Sequence, residues 1–523
     1  MTSGRTLARA GLVVTGAFLA SRLLGGVRSA VIGAEFGAGP DLDSFLAAFR
    51  IPDVIFQLVA AGALSSALIP IVAGLHATGE DARAWRVAST VATLMMAVLL
   101  VLAAVVALAA PVLVPAITYG FPAAQSAKTA ELTRLMLLSP VFLALGSLAT
   151  TLLNAQNRFG ASAVAPLAYN GAIIGAAVFL GPTMGITGLA IGVVAGSICH
   201  LLVQLGPLRA IGFRYRPSVD LADPEARQAL LLMAPRAIGL GASQLTFLVA
   251  TALLSGQPPG SLTAFTFGFT LFQIPFGVIG VPIGIVALPT LARDLARGDV
   301  DRYLMLLTRS IRLILFVMLP IVGLTMVLRT QVVSLVFDWG KFSAAGIAAT
   351  AVALLFLILA LPSESLTAIL ARAFYANRDT ATPVIAAVVA VAINTSFAIL
   401  AIGSLGLPAV AIGIVLGSWV EMAFLVLVLG RRRRDFDAGS VVRAAPPMIV
   451  AAVAAGAAAA LVLAVGQAIL GVDPPKAGIL IQLVAATGAG GLAYVGVSLL
   501  LRVTEVRTLF EMAIAAVRPE PAE

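Results

Sequence analysis

The sequence predicts an all-α polytopic membrane protein, on three observations. Hydrophobic residues make up 60% of the 523 and charged residues only 11%, against about 25% charged in soluble globular chains. Apolar runs long enough to cross a bilayer, about 18–20 residues, recur from one end of the chain to the other. Lys and Arg collect in alternate connections, as the positive-inside rule requires of a multi-pass chain.

The runs place about fourteen spanning helices, at 7–33, 44–75, 88–117, 130–153, 161–181, 185–209, 228–254, 262–292, 305–331, 345–374, 381–402, 407–429, 443–470 and 476–501. The first begins after Arg5 and Arg9 and continues to Ile32; that is too long for the apolar core of a cleaved signal. It carries Arg22 and Arg28 around Gly25-Gly26, and the second carries Asp43, Arg50 and Pro52 ahead of Gly62 and Pro70. A charge at mid-membrane costs at least about 2.5–3.5 kcal/mol, so such residues face an internal aqueous cavity, and cations there point to an anionic cargo. Arg22 and Arg28, six residues apart, stand about 120° and about 9 Å from each other on an ideal helix. Both can border a wide cavity.

The connections after even-numbered spans are the basic ones, ending in the run Arg431 to Arg434. Both termini are therefore expected on the cytoplasmic side. Those basic residues are dispersed between apolar segments, which excludes a nucleic-acid-binding surface as the source of the +9 net charge. One cysteine, Cys199, and two histidines, His76 and His200, leave no basis for a disulfide or a Cys/His metal centre.

The sixth and twelfth spans echo each other. Gly185, Gly188, Gly192, Gly196 and Ser197 are answered by Gly406, Ala409, Gly413, Gly417 and Ser418. Asn157-Arg158 is answered by Asn377-Arg378, and Arg50-Ile51-Pro52 by Gln273-Ile274-Pro275. Six helices separate the copies, so they share one orientation. The organisation expected is a lobe of six helices at 1–215, a parallel second lobe at 216–434, and two appended helices with a cytoplasmic tail at 435–523. The second and eighth spans are the breaker-rich ones, the latter through Pro275, Gly277, Gly280, Pro282, Gly284 and Pro289. Interrupted helices in corresponding positions of two halves point to a transporter's cavity and moving parts. Arg236 in the seventh span is either a cavity residue or an interfacial anchor. Glu364 and Glu421, embedded in the tenth and twelfth, are candidates for ion coupling. No nucleophile–base pair, phosphate loop or metal-ligand spacing stands out, so an enzyme is not expected.

Several of these segments resemble one family. Ser21-Arg22 through Arg28, Phe36-Gly-Ala-Gly39, Asp43-Ser-Phe45, Arg50-Ile-Pro52, Gly62-Ala and Ile69-Pro70 resemble the opening of the MurJ/MviN lipid II flippases. Ile274-Pro-Phe-Gly277, Leu288-Pro289 through Arg293, and Arg372-Ala-Phe374-Tyr375 are similar to its later signatures. The resemblance implies the fold of the multidrug/oligosaccharidyl-lipid/polysaccharide exporters. It implies outward movement of undecaprenyl-diphosphate-linked disaccharide-pentapeptide across the bacterial cytoplasmic membrane, by alternating access. It also implies a cationic cavity, no cofactor, coupling to an ion or to membrane potential, and cell-wall synthases as partners beside the surrounding lipids. Arg22, Arg28 and Asp43 match family functional positions. Phe56, Ala61 and Thr270 stand where the family has charged residues; Arg50 and Arg236 are the cations that would compensate. Two other classes fit the composition: a flippase for another polyprenyl-linked glycan, or a cation-coupled small-molecule antiporter of the same superfamily. A third, a membrane scaffold that recruits synthases, would not need the cavity arginines.

Overall fold

Inside a bilayer every backbone N–H and C=O must find its partner within the protein, which leaves helices as the economical solution for apolar runs of this length. The computed structural model describes residues 4–59, 63–433, 435–507 and 509. Their side chains are described as well, except at 4–15, 17–19, 63, 65–66, 234–243 and 438. Among the described residues the regular elements are all helical. The chain divides into two compact units, Met1–Thr263 with Trp339–Gly346, and Ala264–Asp338 with Ile347–Glu523.

The first unit holds α1 (Gly4–Phe36), α2 (Pro40–Val59), α3 (Ala63–Ala77), α4 (Asp81–Ile117), α5 (Ala123–Met136) and α6 (Ser139–Ala155). It continues with α7 (Phe159–Phe179), the short α8 (Gly181–Met184), α9 (Ile186–Ala210) and α10 (Pro224–Ser255). Its core is an apolar cluster in which Leu64, Leu68 and Val72 of α3 meet Val91 and Met95 of α4 and Leu148 and Leu152 of α6. α10 packs against α2, α3 and α4, and α1 lies along α7.

The second unit takes up α11 (Ser261–Pro275) from residue 264. A single π-helical turn, Phe276–Gly280, joins it to α12 (Val281–Ala296). Then come α13 (Val300–Phe337), α14 (Ala344–Leu357), a 3-10 turn at Ile358–Ala360, α15 (Leu361–Ala376), α16 (Ala381–Leu405), α17 (Leu407–Arg432), α18 (Ala438–Leu470) and α19 (Lys476–Leu500). α13 packs against both α18 and α19. The α18–α13 contact is backbone-close: a Cβ added to Gly323 would stand 2.7 Å from the Ala452 carbonyl oxygen.

Eleven helical spans among the described residues are long and apolar enough to cross a membrane, against the fourteen expected. The expected segments not among the eleven are 7–33, 44–75 and 228–254. The second runs through residues 60–62, outside the described ones, and the first and third include residues whose side chains are not described.

The repeat read from the sequence has a conformational counterpart inside each unit. Gly185 enters α9 at φ 58°, ψ −145°, and Gly406 enters α17 at φ 63°, ψ −141°. Both values fall where an L side chain is strained, so glycine is needed at each. Asn157 (φ 57°) and Arg378 (φ 59°) stand at left-handed turns one hairpin earlier. Both pairs have the same separation, since 406 − 185 and 378 − 157 each give 221. The glycine faces do the same work in both hairpins. A Cβ on Gly196 would lie 2.8 Å from the Tyr169 carbonyl oxygen of α7, and one on Gly417 2.7 Å from that of Ala390 in α16.

Candidate functional site

The polar residues that the sequence places inside the first unit's helices converge around α2. Asp53 lies one turn after Arg50 on that helix, where i,i+3 side chains are neighbours, and the two charges act on each other. Gln57, a further turn on, hydrogen-bonds the Asp53 carboxylate. The Arg50 guanidinium lies 5.1 Å from the centre of the Phe247 ring of α10, within cation–π range. Its Nε is buried and has no hydrogen-bond partner among the described residues. Arg28 reaches the same neighbourhood from α1: its charge and that of Asp53 both act on the Tyr169 hydroxyl of α7. Arg28 and Arg50 are half-buried and Arg22 is exposed. Two expected site residues, Arg28 and Arg50, thus share a patch with Asp53, Gln57 and Tyr169, none of which is among the site residues expected from the sequence. The Arg50/Asp53 spacing was the available signal.

The substitutions at family-charged positions are accommodated locally. Phe56 packs against the apolar cluster under α3 and α4. The Thr270 hydroxyl donates to the Thr266 carbonyl of its own helix (2.9 Å), the usual way a helix satisfies a buried threonine. Ala61 and Gly62 lie outside the described residues, and so does the side chain of Arg236, although α10 runs through that position.

Asp43, in the first turn of α2, is buried. Its carboxylate accepts three hydrogen bonds: from the Gly260 N–H (2.6 Å), the Thr263 N–H (2.8 Å) and the Thr263 hydroxyl (2.7 Å). The first N–H groups of a helix lack intrahelical partners, and a carboxylate there meets both the donors and the positive end of the dipole. Asp43 therefore caps α11 from a distance. Gly260, at φ 90°, passes so close that a Cβ would stand 2.7 Å from the Ala38 carbonyl oxygen. Beside it the 339–346 segment is tied to the end of α1. The Lys341 N–H donates to the Ala34 carbonyl (2.7 Å), and its ammonium pairs with Glu35 (3.0 Å).

In the second unit Pro275 ends α11 where the π turn begins, and Gly277 is buried within that turn. Gly280 and Gly284 face α15: an added Cβ would stand 2.6 Å from the Ser365 hydroxyl and 2.5 Å from a terminal guanidinium nitrogen of Arg372, respectively. Pro52 is buried within α2, with the helix continuing through it. On the opposite side of α15, the Ser363 and Ser418 hydroxyls bond at 2.8 Å and set the register of α15 on α17. Next to that bond Glu364 and Glu421 are half-buried, and the Glu364 charge acts on Glu421.

A profile of the family described as "Lipid II flippase MurJ" matches residues 32–472. The chain belongs to this family. The probable lipid II flippase MurJ of Rhizobium meliloti (strain 1021) is 31% identical over 430 residues, which is 80% of this chain and 79% of that protein. The lipid II flippase MurJ of Burkholderia cenocepacia is 31% identical over 441 residues, 82% of this chain and 84% of its own. A solved lipid II flippase MurJ in an inward closed conformation superposes with TM-score 0.77 at 21% identity, covering 94% of this chain and 99% of that one. An inward-facing MATE family multidrug transporter of the MOP superfamily gives TM-score 0.65 at 17% identity, covering 81% and 96%. MurJ membership makes the chain a membrane transporter. It also makes the protein a multi-pass component of the inner membrane.

Proposed function

We infer that this protein flips lipid II, the undecaprenyl-diphosphate-linked peptidoglycan precursor, from the inner to the outer leaflet by alternating access. The observation that carries the reading, beyond family membership, is the Arg28–Arg50 patch. Two guanidiniums are held within the helical part of the first unit, with the Arg50 Nε donor unused. A diphosphate needs more than one cation, and guanidinium offers planar, permanently charged forks to its oxygens. Arg22 extends the cationic path along α1, and Arg236 on α10 adds a further cation. Asp53 keeps Arg50 oriented while no substrate is present.

Asp43 is the gating residue of this reading. Its three hydrogen bonds hold the start of α11 against α2 on the outward side. The π turn that follows Pro275 and contains Gly277, together with the helix-weakening residue types at Pro52 and Gly62, lets the helices bend when the bonds release. Six helices in each of two parallel lobes, two appended helices, and both termini in the cytoplasm complete the reading. The glycan-polymerising synthases of the outer leaflet are the partners that would consume the product. Glu364 and Glu421 supply the coupling site, because ionisable side chains embedded in membrane-spanning helices mark proton and ion pathways. The same pair is the feature an antiporter would use.

Complementation decides between these readings. In a bacterium depleted of its own flippase, the wild-type chain should restore growth and lipid II export. Replacing Glu364 and Glu421 by Gln should slow export without abolishing substrate binding. Restoration of cation-linked drug efflux but not of lipid II export would replace the flippase reading by the antiporter one. For the topology, a cysteine at Thr183 in a Cys199→Ser background should label from outside the intact cell and one at Ser218 should not.

A further inference from the structure

Residues 212–221 leave α9 as an extended strap across the first turns of α4. Three hydroxyls on α4 hold it. The Arg216, Ser218 and Asp220 N–H groups donate to Ser89 Oγ (3.4 Å), Thr93 Oγ1 (3.3 Å) and Thr90 Oγ1 (3.4 Å). Thr90 also donates to the Ser218 hydroxyl (3.1 Å), and Thr93 meets the Tyr215 hydroxyl at 3.0 Å. Trp85 is wedged edge-on between the rings of His76 and Phe213, with centroids 4.5 and 5.6 Å away.

Between strap and helix lies a cavity of about 310 Å³ bordered by Trp85, Arg86, Ser89, Arg214, Arg216 and Ser218. Three guanidiniums and two hydroxyls line it, and no carboxylate does among the described residues. The acids of the same segment are engaged elsewhere. Asp223 takes two hydrogen bonds from Arg83 (2.8 and 3.2 Å), and Asp220 accepts the Asp223 N–H (3.3 Å). The three arginines are exposed, and their like charges together attract an anion into the space between them.

The depth of the pocket identifies the source of that anion. α4 has 37 residues, and its charges end at Arg86, with none from Val87 to Ile117. At 1.5 Å per residue the helix is about 55 Å long against about 30 Å of hydrocarbon, so the Arg86–Ser89 turn falls at headgroup level. The strap also leaves Tyr215, Val219 and Leu221 42, 63 and 53% exposed, apolar surface that lipid would cover. Basic pockets between helices on the cytoplasmic side bind anionic headgroups.

We propose that the Arg86–Arg214–Arg216 pocket seats the phosphate of an anionic phospholipid of the cytoplasmic leaflet. The headgroup bridges strap and α4, and so sets how firmly the connection between α9 and α10 is fastened to the membrane surface.

Trp85 reports the site directly once the other two tryptophans, Trp339 and Trp419, are changed to Phe. The full chain in detergent is titrated with dioctanoyl phosphatidylglycerol, dioctanoyl phosphatidylcholine and glycerol 3-phosphate. Phosphatidylglycerol should shift Trp85 emission saturably and phosphatidylcholine should not. Combined Arg86→Gln, Arg214→Gln and Arg216→Gln should weaken the apparent affinity at least about tenfold, and the three Lys replacements should recover part of it. If the triple Gln variant does not give a monodisperse helical protein, Arg214→Gln and Arg216→Gln singly decide, each expected to weaken binding about threefold. No saturable response, an equal response to phosphatidylcholine, or unchanged affinity in the Gln variants overturns the proposal. Glycerol 3-phosphate binding as tightly as phosphatidylglycerol would overturn the lipid assignment in favour of a soluble phosphate ester.

Discussion

α2 and the α11–π–α12 path carry the same Ile-Pro signature, yet differ in what surrounds it. In α2 the helix continues through Pro52, and its polar side chains carry charge: Asp43, Arg50 and Asp53. In the later copy the positions before the proline are the uncharged Thr270 and Gln273, and it is the backbone that departs from the α-helix, in the π turn at Phe276–Gly280. π turns and inserted prolines are where helices bend. The first segment carries the charges and the second the irregular backbone. On the proposed reading, binding and bending would thus be divided between the two Ile-Pro segments.

The comparison is tested hardest on its charged side. Arg28→Ala and Arg50→Ala should each cut lipid II export by tenfold or more at normal protein abundance, while the Lys variants retain part of it. That order follows if charge supplies most of the headgroup attraction and fork geometry the rest. Export at wild-type level in both Ala variants would make α2 a structural element like its later copy.

The next effect in size concerns Asp43. Hydrogen bonds to a charged group contribute about 1.5–3 kcal/mol each, so Asp43→Ala should strongly favour release of the α11 start. With Cys199 replaced by Ser, a cysteine at the buried Ser261 should react with an outside reagent at least about tenfold faster in the Asp43→Ala background. Unchanged reactivity would remove Asp43 from any gating role.

On the bending side, Gly280→Ala should be costly because its Cβ would stand 2.6 Å from the Ser365 hydroxyl and 3.0 Å from its Cβ. Overpacking of this kind costs about 1–3 kcal/mol. The thermal midpoint in detergent should fall, and Ser365→Gly in the same chain should recover most of the loss.

The smallest effect lies in the basic connection that matches Asn157-Arg158. Burial raises the Asp379 carboxyl, but hydrogen bonds from Thr382 and Arg432 more than offset this and bring it to about 2. A carboxyl held lower in the folded state stabilises the fold above its ordinary value near 4, and that contribution disappears as pH falls through about 2. Asp379→Asn should therefore lower stability by about 1 kcal/mol at pH 7, discounted because Arg432 is 51% exposed. The difference from wild type should vanish in unfolding scans near pH 2.

The helices could be read from the sequence because lipid imposes a long-wavelength apolar pattern that single residues cannot hide. Of the expected interruptions, the one after Pro275 is present, while α2 runs through Pro52. The glycine echoes could be read for a similar reason: close helix approach leaves few side-chain choices at Gly196 and Gly417. Asp43 stood out as a buried acid, but not its donors. Two of the three are backbone N–H groups at Gly260 and Thr263, more than two hundred positions later, and backbone donors leave no side-chain trace. Asp53 is hard to read from the sequence for a different reason. Next to the conspicuous Ile-Pro it looks like a turn residue, and only the helix continuing through Pro52 brings it into line with Arg50. The strap over α4 was equally hidden, since Ser89, Thr90 and Thr93 look like ordinary polar residues until the chain crosses them.

The Asp43 clasp has a consequence for timing. In the proposed gating, one carboxylate gathers all three hydrogen bonds, so a single side chain would set how long the outward end of α11 stays shut. Each 1.4 kcal/mol removed from the clasp shifts the balance between shut and open about tenfold. Asp43→Asn, Asp43→Glu and Asp43→Ala then form a graded series of dwell times rather than an on–off pair.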